Sequence, residues 1–288
     1  MSWGSYVLVG YDGSKESERA LRWAAQEARL RRLPLTVCHA WRWPYPVSHI
    51  DYEGVAIVKR MAGHLLDHGV MLAERMAPTV KVRGRLGDGP AYGALMHEAE
   101  GAELIVVGSH EREDLAVGST SLQLPARARR PVVVVRAAGA RRGEGEVVAG
   151  VDCSPGGDAA LAFAYEEAAL RGWRLRAVYG CREPAAVGGD LSVFEDEDRL
   201  RHLCGERLER SVAPWRVKYP YVETRTSLVV EPPREALFEA AEEADLVVVG
   251  NRGAGGVAAL HLGATSGALL QHSPCSVAVV PSEGAPGL

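Results

Sequence analysis

The residues best suited to chemistry lie in the run NRGAGGVAALHL, between Gly250 and Gly263. Connections from strand to helix usually take about 2 to 6 residues, so a loop this long needs a reason. Gly250, Gly253, Gly255 and Gly256 permit positive φ and let backbone amides come close to a ligand. Gly263-Ala-Thr-Ser then opens a helix whose free N–H groups favour an anion. The chemistry indicated is a phosphate cradle. One helix terminus contributes about 0.3 to 1 kcal/mol, or about 2 when partly buried, whereas micromolar binding needs about 8 kcal/mol. The balance has to come from burying a base and sugar against neighbouring strand ends, where Asp152 and Gly180 are the candidate wall. A nucleotide therefore fits better than free phosphate.

The elements that position this loop belong to a repeat. YVLVGYDGSKESERALRWAAQEARLRRLPLTVCHA and EVVAGVDCSPGGDAALAFAYEEAALRGWRLRAVYG stay in register at a constant offset of 140, from Tyr6 on Glu146 to Ala40 on Gly180. Asp12 falls on Asp152, Ser14 on Ser154, Leu21 on Leu161 and Leu35 on Leu175. Downstream, AELIVVG (102–108) meets ADLVVVG (244–250), and RRPVVVV (129–135) meets PCSVAVV (274–280). Two copies of one domain are expected, residues 1–137 and 146–282, joined by the Gly- and charge-rich AAGARRGEGE. In each copy short β-branched runs alternate with amphipathic stretches, which predicts an α/β Rossmann-like domain, a five-stranded parallel sheet with helices on both faces. The strands are expected at 6–10, 35–41, 80–86, 104–108 and 132–136, and at 147–151, 175–179, 223–229, 246–250 and 276–280. Helices are expected over 14–32 and 154–171, each with Ser at its N-cap and Arg in its last turn. The last strands would be long apolar edges, so the copies are expected to dock through them as a pseudo-twofold pair.

Composition narrows the partners. The 288 residues are too many for one small domain, and 47% apolar with 24% charged residues excludes wholesale disorder. A balance of 33 basic against 37 acidic residues, net charge -4, lacks the basic excess that nucleic acid or anionic lipid selects. Five cysteines without a C-x-x-C pair suggest neither a disulfide framework nor a structural zinc site. No apolar run approaches the roughly 20 residues needed to span a bilayer, and no secretory leader is evident, so a cytoplasmic location is expected.

The chain resembles a tandem universal stress protein. The likeness is carried by VLVGYDGS and VVAGVDCS, by VVVGSH and VVVGNRG, by HSPCSVAVV, and by Gly250-x2-Gly253-x9-Gly263. That spacing matches the family's ATP-binding pattern G-x2-G-x9-G-[S/T] except that Ala264 stands where a hydroxyl is expected, with Thr265 and Ser266 following as substitutes. The resemblance implies an adenine nucleotide, ATP or AMP/ADP with Mg2+ on its phosphates, at Asp152, Gly180, Gly250, Gly253, Gly263, Thr265 and Ser266. The matching first-half set is Asp12, Ala40, Gly108, Gly118, Ser119 and Ser121. There Glu111 takes the place of the second glycine, the loop to Gly118 is three residues shorter, and Glu113 and Asp114 add negative charge, so weaker binding is expected.

Blander readings stand beside several of these residues. Asp12 and Asp152 could meet a ribose or a phosphate-borne metal, or simply form Asx turns. Ser154-Pro-Gly-Gly-Asp reads as a helix start rather than a pyrophosphatase loop. His64 and His68 have the spacing of a helical zinc pair, but Leu65 replaces the glutamate of H-E-x-x-H, which favours a solvated face. His39 suits a rim position, and His261 either covers the loop or touches a phosphate. Cys153 precedes a helix N-terminus, where a thiolate would be stabilised or a small residue merely fills the turn. The run Trp41-Arg-Trp-Pro-Tyr-Pro-Val packs at the sheet rim or folds over the first pocket. Arg127, Arg129 and Arg130, and Glu195 to Asp198, complement helix ends.

No Ser-His-Asp set, paired carboxylates or metal cluster can be assembled, so neither a catalytic residue nor a metal site is assigned. The expectation is an ATP-binding regulatory protein acting in stress or dormancy signalling, with a protein partner that reads the nucleotide-dependent conformation, and with homodimer formation. The alternatives are a slow ATPase or adenylate-transferring enzyme, and a structural interaction module that binds no nucleotide.

Overall fold

The computed structural model describes residues 5–43, 51–109, 120–137, 145–182, 196–253 and 262–282. The chain divides into two compact units, residues 1–124 with 132–135 and residues 125–131 with 136–288. Most of the expected linker lies outside the described residues.

The first half runs β1 (Tyr6–Gly10), α1 (Lys15–Arg31), β2 (Leu35–Trp41), α2 (Tyr52–Met76), β3 (Val82–Asp88), α3 (Ala91–Glu98), β4 (Ala102–Gly108), α4 (Thr120–Arg127) and β5 (Val132–Val135). The second repeats it as β6 (Glu146–Gly150), α5 (Pro155–Arg171), β7 (Arg174–Gly180), α6 (Glu197–Lys218), β8 (Thr224–Val229), α7 (Pro233–Ala241), β9 (Leu246–Gly250), α8 (Ala264–His272) and β10 (Ser276–Val280). Strand order is β3-β2-β1-β4-β5 in one half and β8-β7-β6-β9-β10 in the other, and the pairings within each half are parallel. In both halves the order reverses beside the first strand, between β1 and β4 and between β6 and β9. Such a reversal opens a crevice at the carboxyl ends of those strands.

A parallel sheet covered on both faces needs strands that are apolar on both sides. Val7, Leu8 and Val9 are all fully buried, as are Val147, Val148 and Ala149. The close contacts of strand-end glycines show which helix covers which face. A Cβ on Gly150 would meet Leu237 of α7, whereas one on Gly250, in the neighbouring strand, would meet the backbone of Gly156 in α5. Val249 pairs across from Gly150 and shares its face, so α5 and α7 lie on opposite faces. Gly10 against Leu95 of α3 and Gly108 against Glu16 of α1 repeat this in the first half.

The expected caps are present. Ser14 and Ser154 accept hydrogen bonds from Ser17 N and Gly157 N, at 3.1 Å in both halves. The helices end on Arg32 (φ 57°) and Gly172 (φ 67°), both left-handed. One turn from each end an ion pair repeats, Arg31 with Glu27 and Arg171 with Glu167, and both glutamates are fully buried.

Several strand bounds differ from those expected. β3 begins at Val82 rather than at residue 80, because the Val80 amide closes the turn after α2 by donating to Ala77 O at 3.0 Å. β4 starts two residues earlier than expected, where Ala102 pairs with Tyr6. β6 is one residue earlier, since Glu146 pairs with Arg174 while Val151 leaves the ladder. His64 and His68 are exposed on α2, and His68 Nδ1 shares a 2.9 Å hydrogen bond with the Tyr11 hydroxyl. His39 sits at the rim, with Nδ1 2.8 Å from Tyr11 O.

Candidate functional site

At the switch point of the second half, Asp152 lies two residues past β6. Its Oδ1 accepts from Ser154 N at 3.0 Å and from Ser154 Oγ at 2.6 Å, while Ser154 Oγ in turn accepts from Gly157 N. The Asx turn is therefore real, and it fixes where the carboxylate stands. A Cβ on Gly253 would lie 2.7 Å from Asp152 Oδ2, and one on Gly157 would lie 2.2 Å from Oδ1. The first turn of α5 and the segment leaving β9 thus close on the carboxylate from two sides, and only glycine fits at either place.

The ends of the long loop are tied together. Gly263 N donates to Asn251 O at 2.9 Å, and a Cβ on Gly263 would come within 3.7 Å of Gly253 N. Gly263 is the N-cap of α8 and offers no side-chain cap, so the first amides of that helix are left without the partner a Ser or Asp would supply. Ser266 Oγ donates to Gly250 O at 2.7 Å, which commits its proton to the strand end, and Thr265 stands half-buried in the same turn. Asp152, Gly250, Gly253, Gly263, Thr265 and Ser266 are thus brought to one crevice.

Two glycines have different reasons from those the sequence suggested. Gly250 was expected to open the backbone to a ligand, but its missing side chain is required by α5, since a Cβ would lie 2.8 Å from Gly156 C and O. Gly180 was expected to wall the base, and the structure shows it buried against α7, with Pro233 Cα 2.5 Å from a Cβ placed there. Both are sites of close helix-to-strand packing.

Sequence reasoning missed Gly156, Gly157 and Asn251 as contributors. Asn251 is 8% exposed, and its Oδ1 has no hydrogen-bond partner. Ser109, the first residue past β4, repeats this: it is 3% exposed and its Oγ has no partner. A buried polar atom left so costs about 1 to 3 kcal/mol. The signal available was the matching polar residue after each VVVG run, Ser109 and Asn251.

In the first half Asp12 repeats the turn, accepting from Ser14 N at 3.0 Å and Ser14 Oγ at 2.5 Å, but it is exposed where Asp152 is half-buried. Ala40 ends β2 opposite Gly87, and a Cβ on Gly108 would lie 2.7 Å from the Glu16 backbone. Ser121 is half-buried in the first turn of α4, whereas Gly118 and Ser119, with Glu111, Glu113 and Asp114, fall outside the described residues, as do Gly255, Gly256 and His261. Among the described residues no group of three or more His, Cys, Asp or Glu is arranged to hold a metal ion, and no helix is long and apolar enough to cross a membrane.

Two copies of a five-stranded parallel sheet, each with its crevice at the reversal of strand order, define a tandem Rossmann-like α/β protein. The chain belongs to the universal stress protein family, whose model matches residues 6–136 and 145–281. It is 32% identical to Universal stress protein Rv2005c from Mycobacterium tuberculosis, covering 95% of this chain and 96% of that one. A universal stress protein from Archaeoglobus fulgidus has the same fold, with a TM-score of 0.72 at 19% identity over 96% of this chain and 98% of its own. Another universal stress protein, crystallised in complex with cAMP, aligns with 47% of this chain and 99% of its own at 23% identity and a TM-score of 0.38.

Proposed function

We propose that the second half binds an adenine nucleotide, ATP or its AMP and ADP relatives, and that the chain acts as a cytoplasmic regulatory protein in stress or dormancy signalling. The observation that carries this reading is the convergence of the Asp152 carboxylate, Gly253 and the uncapped start of α8 at the switch point. In this reading the α8 amides and Thr265 receive phosphate, Asp152 accepts hydrogen bonds from the ribose, and Asn251 Oδ1 gains a partner from the ligand. Mg2+ enters bound to the phosphates. Bound and free states would differ in the order of the loop between Gly250 and Gly263, and a second protein reads that difference. The first half keeps the aspartate turn but carries Glu111 in place of the second glycine, so binding there is weaker.

Calorimetric titration of the full chain with ATP, ADP, AMP and cAMP tests the assignment. Replacing Gly263 by Val should abolish binding in the second half while the thermal transition persists, because a Cβ there meets nothing closer than 3.6 Å. Undiminished affinity in that variant would sink the reading. Mass spectrometry of small molecules released from the denatured protein identifies the nucleotide carried from the cell.

A further inference from the structure

Three of the five cysteines meet in the second unit along one stripe of α6. Cys181 follows β7 directly, Cys204 lies within α6, and Cys153 stands between Asp152 and the Ser154 cap. Cys181 and Cys204 are both fully buried, and the Cys204 thiol donates a hydrogen bond to the Cys181 sulfur. Cys153 is exposed and held at φ 58°. Its Sγ donates to Arg207 O at 3.8 Å and accepts from Ser211 Oγ at 3.4 Å. Residues 204, 207 and 211 share one face of a helix, so the exposed sulfur sits one turn along from the buried pair. Burial, with the neighbouring Cys181, pushes the Cys204 thiol up to about 12, and burial pushes Cys181 upward as well. Neither buried thiol is a thiolate at neutral pH, and neither is open to an oxidant from solvent. Cys153 is the entry point.

We propose that Cys153, Cys204 and Cys181 form a thiol relay for hydroperoxides whose product is an internal Cys181–Cys204 disulfide. Cys153 attacks the peroxide, the O–O bond breaks, water (or an alcohol) leaves, and Cys153 becomes a sulfenic acid. The Cys204 sulfur then displaces the hydroxyl from Cys153, its proton leaving with that oxygen as water, to form a Cys153–Cys204 disulfide. Cys181 attacks the Cys204 sulfur, and its proton passes to the released Cys153. Two thiols and one peroxide become one disulfide and two molecules of water or alcohol, with Cys153 restored. The existing thiol hydrogen bond already places the final pair sulfur to sulfur. The product would fasten α6 to the end of β7. The relay stands on the thiol geometry and is independent of nucleotide binding.

The test uses the full reduced chain treated with hydrogen peroxide, quenched with N-ethylmaleimide, digested and mapped by mass spectrometry. The expected product is a peptide pair joined through Cys181 and Cys204, with Cys38, Cys153 and Cys275 alkylated. Cys153→Gly installs the residue that Gly13 supplies at the matching place, so it should fold with an unchanged melt. It should slow the disulfide by about tenfold or more, because buried thiols react slowly. Formation at the wild-type rate in Cys153→Gly would overturn the relay. So would a wild-type chain in which Cys153 is oxidised to the sulfinic acid while Cys181 and Cys204 remain alkylated, or one that stops at Cys153–Cys204.

Discussion

A single methyl group at Gly253 probes the site with little disturbance elsewhere. In Gly253→Ala the new carbon would lie 2.7 Å from Asp152 Oδ2, against a normal contact distance of about 3.5 to 4.0 Å. The next atom of the carboxylate is 3.9 Å away, and no backbone atom stands in the way. The backbone can stay, and the carboxylate must swing by about an ångström. That swing draws Oδ1 away from Ser154 N and Oγ, now 3.0 and 2.6 Å distant. A hydrogen bond to a charged group contributes about 1.5 to 3 kcal/mol, while alanine recovers about 0.4 to 1 kcal/mol by restricting the unfolded chain. Loss of stability should therefore be about 1 to 2 kcal/mol. Loss of one ribose contact to the displaced carboxylate weakens ATP binding by about 10- to 150-fold. The assay is calorimetric titration of wild type, Gly253→Ala, Asp152→Ala and the double variant. If the methyl acts through Asp152, the double variant binds no more weakly than Asp152→Ala. Wild-type affinity in Gly253→Ala, or additive losses in the double variant, would refute the reasoning.

Other outcomes follow from the packing. Gly250→Ala places a Cβ 2.8 Å from the Gly156 backbone, where no flexible side chain can give way, so chemical denaturation should show a loss of about 1 to 3 kcal/mol. Arg171→Met leaves Glu167 buried without its partner at 3.0 Å, and urea unfolding should report about 3 to 5 kcal/mol lost; the double change to Arg171→Met with Glu167→Leu should recover much of it. Burial holds the Glu146 carboxyl above the usual carboxylate range, with Arg176 and Arg174 opposing. The folded state binds this proton more tightly than the unfolded one, so the contribution is present at low pH and fades as pH rises through the folded value. Melting curves of Glu146→Gln should show a flatter pH dependence across that range, and an unchanged profile would remove Glu146 as its cause.

How much of this was legible in the sequence depends on how far apart the interacting residues lie. The caps Ser14 and Ser154 could be read because their hydrogen bonds span three residues, and Asp12 and Asp152 because an Asx turn spans two. β1, β2, β9 and β10 could be read to the residue because their β-branched runs are bounded by glycine or polar punctuation. Val80 was misplaced because a β-branched residue closing a turn looks the same in sequence as one opening a strand. The glycines were found but their reasons were not. Gly180 is needed by Pro233 and Gly250 by Gly156, and nothing near either glycine names its partner.

What the sequence determined alone was the duplication, the alternation of strands and helices, and the glycine spacing that marks the switch-point loop. These arise from periodicities and caps written within a few neighbouring residues. The tertiary structure decided that Gly253 and Gly157 hem in the Asp152 carboxylate and that Asn251 buries an unpartnered oxygen. It also decided that Cys153, Cys181 and Cys204 line one helix. Those contacts join residues distant along the chain, and their distances are set by how closely α5, α6 and α7 approach the sheet. That approach depends on all the side chains between them at once.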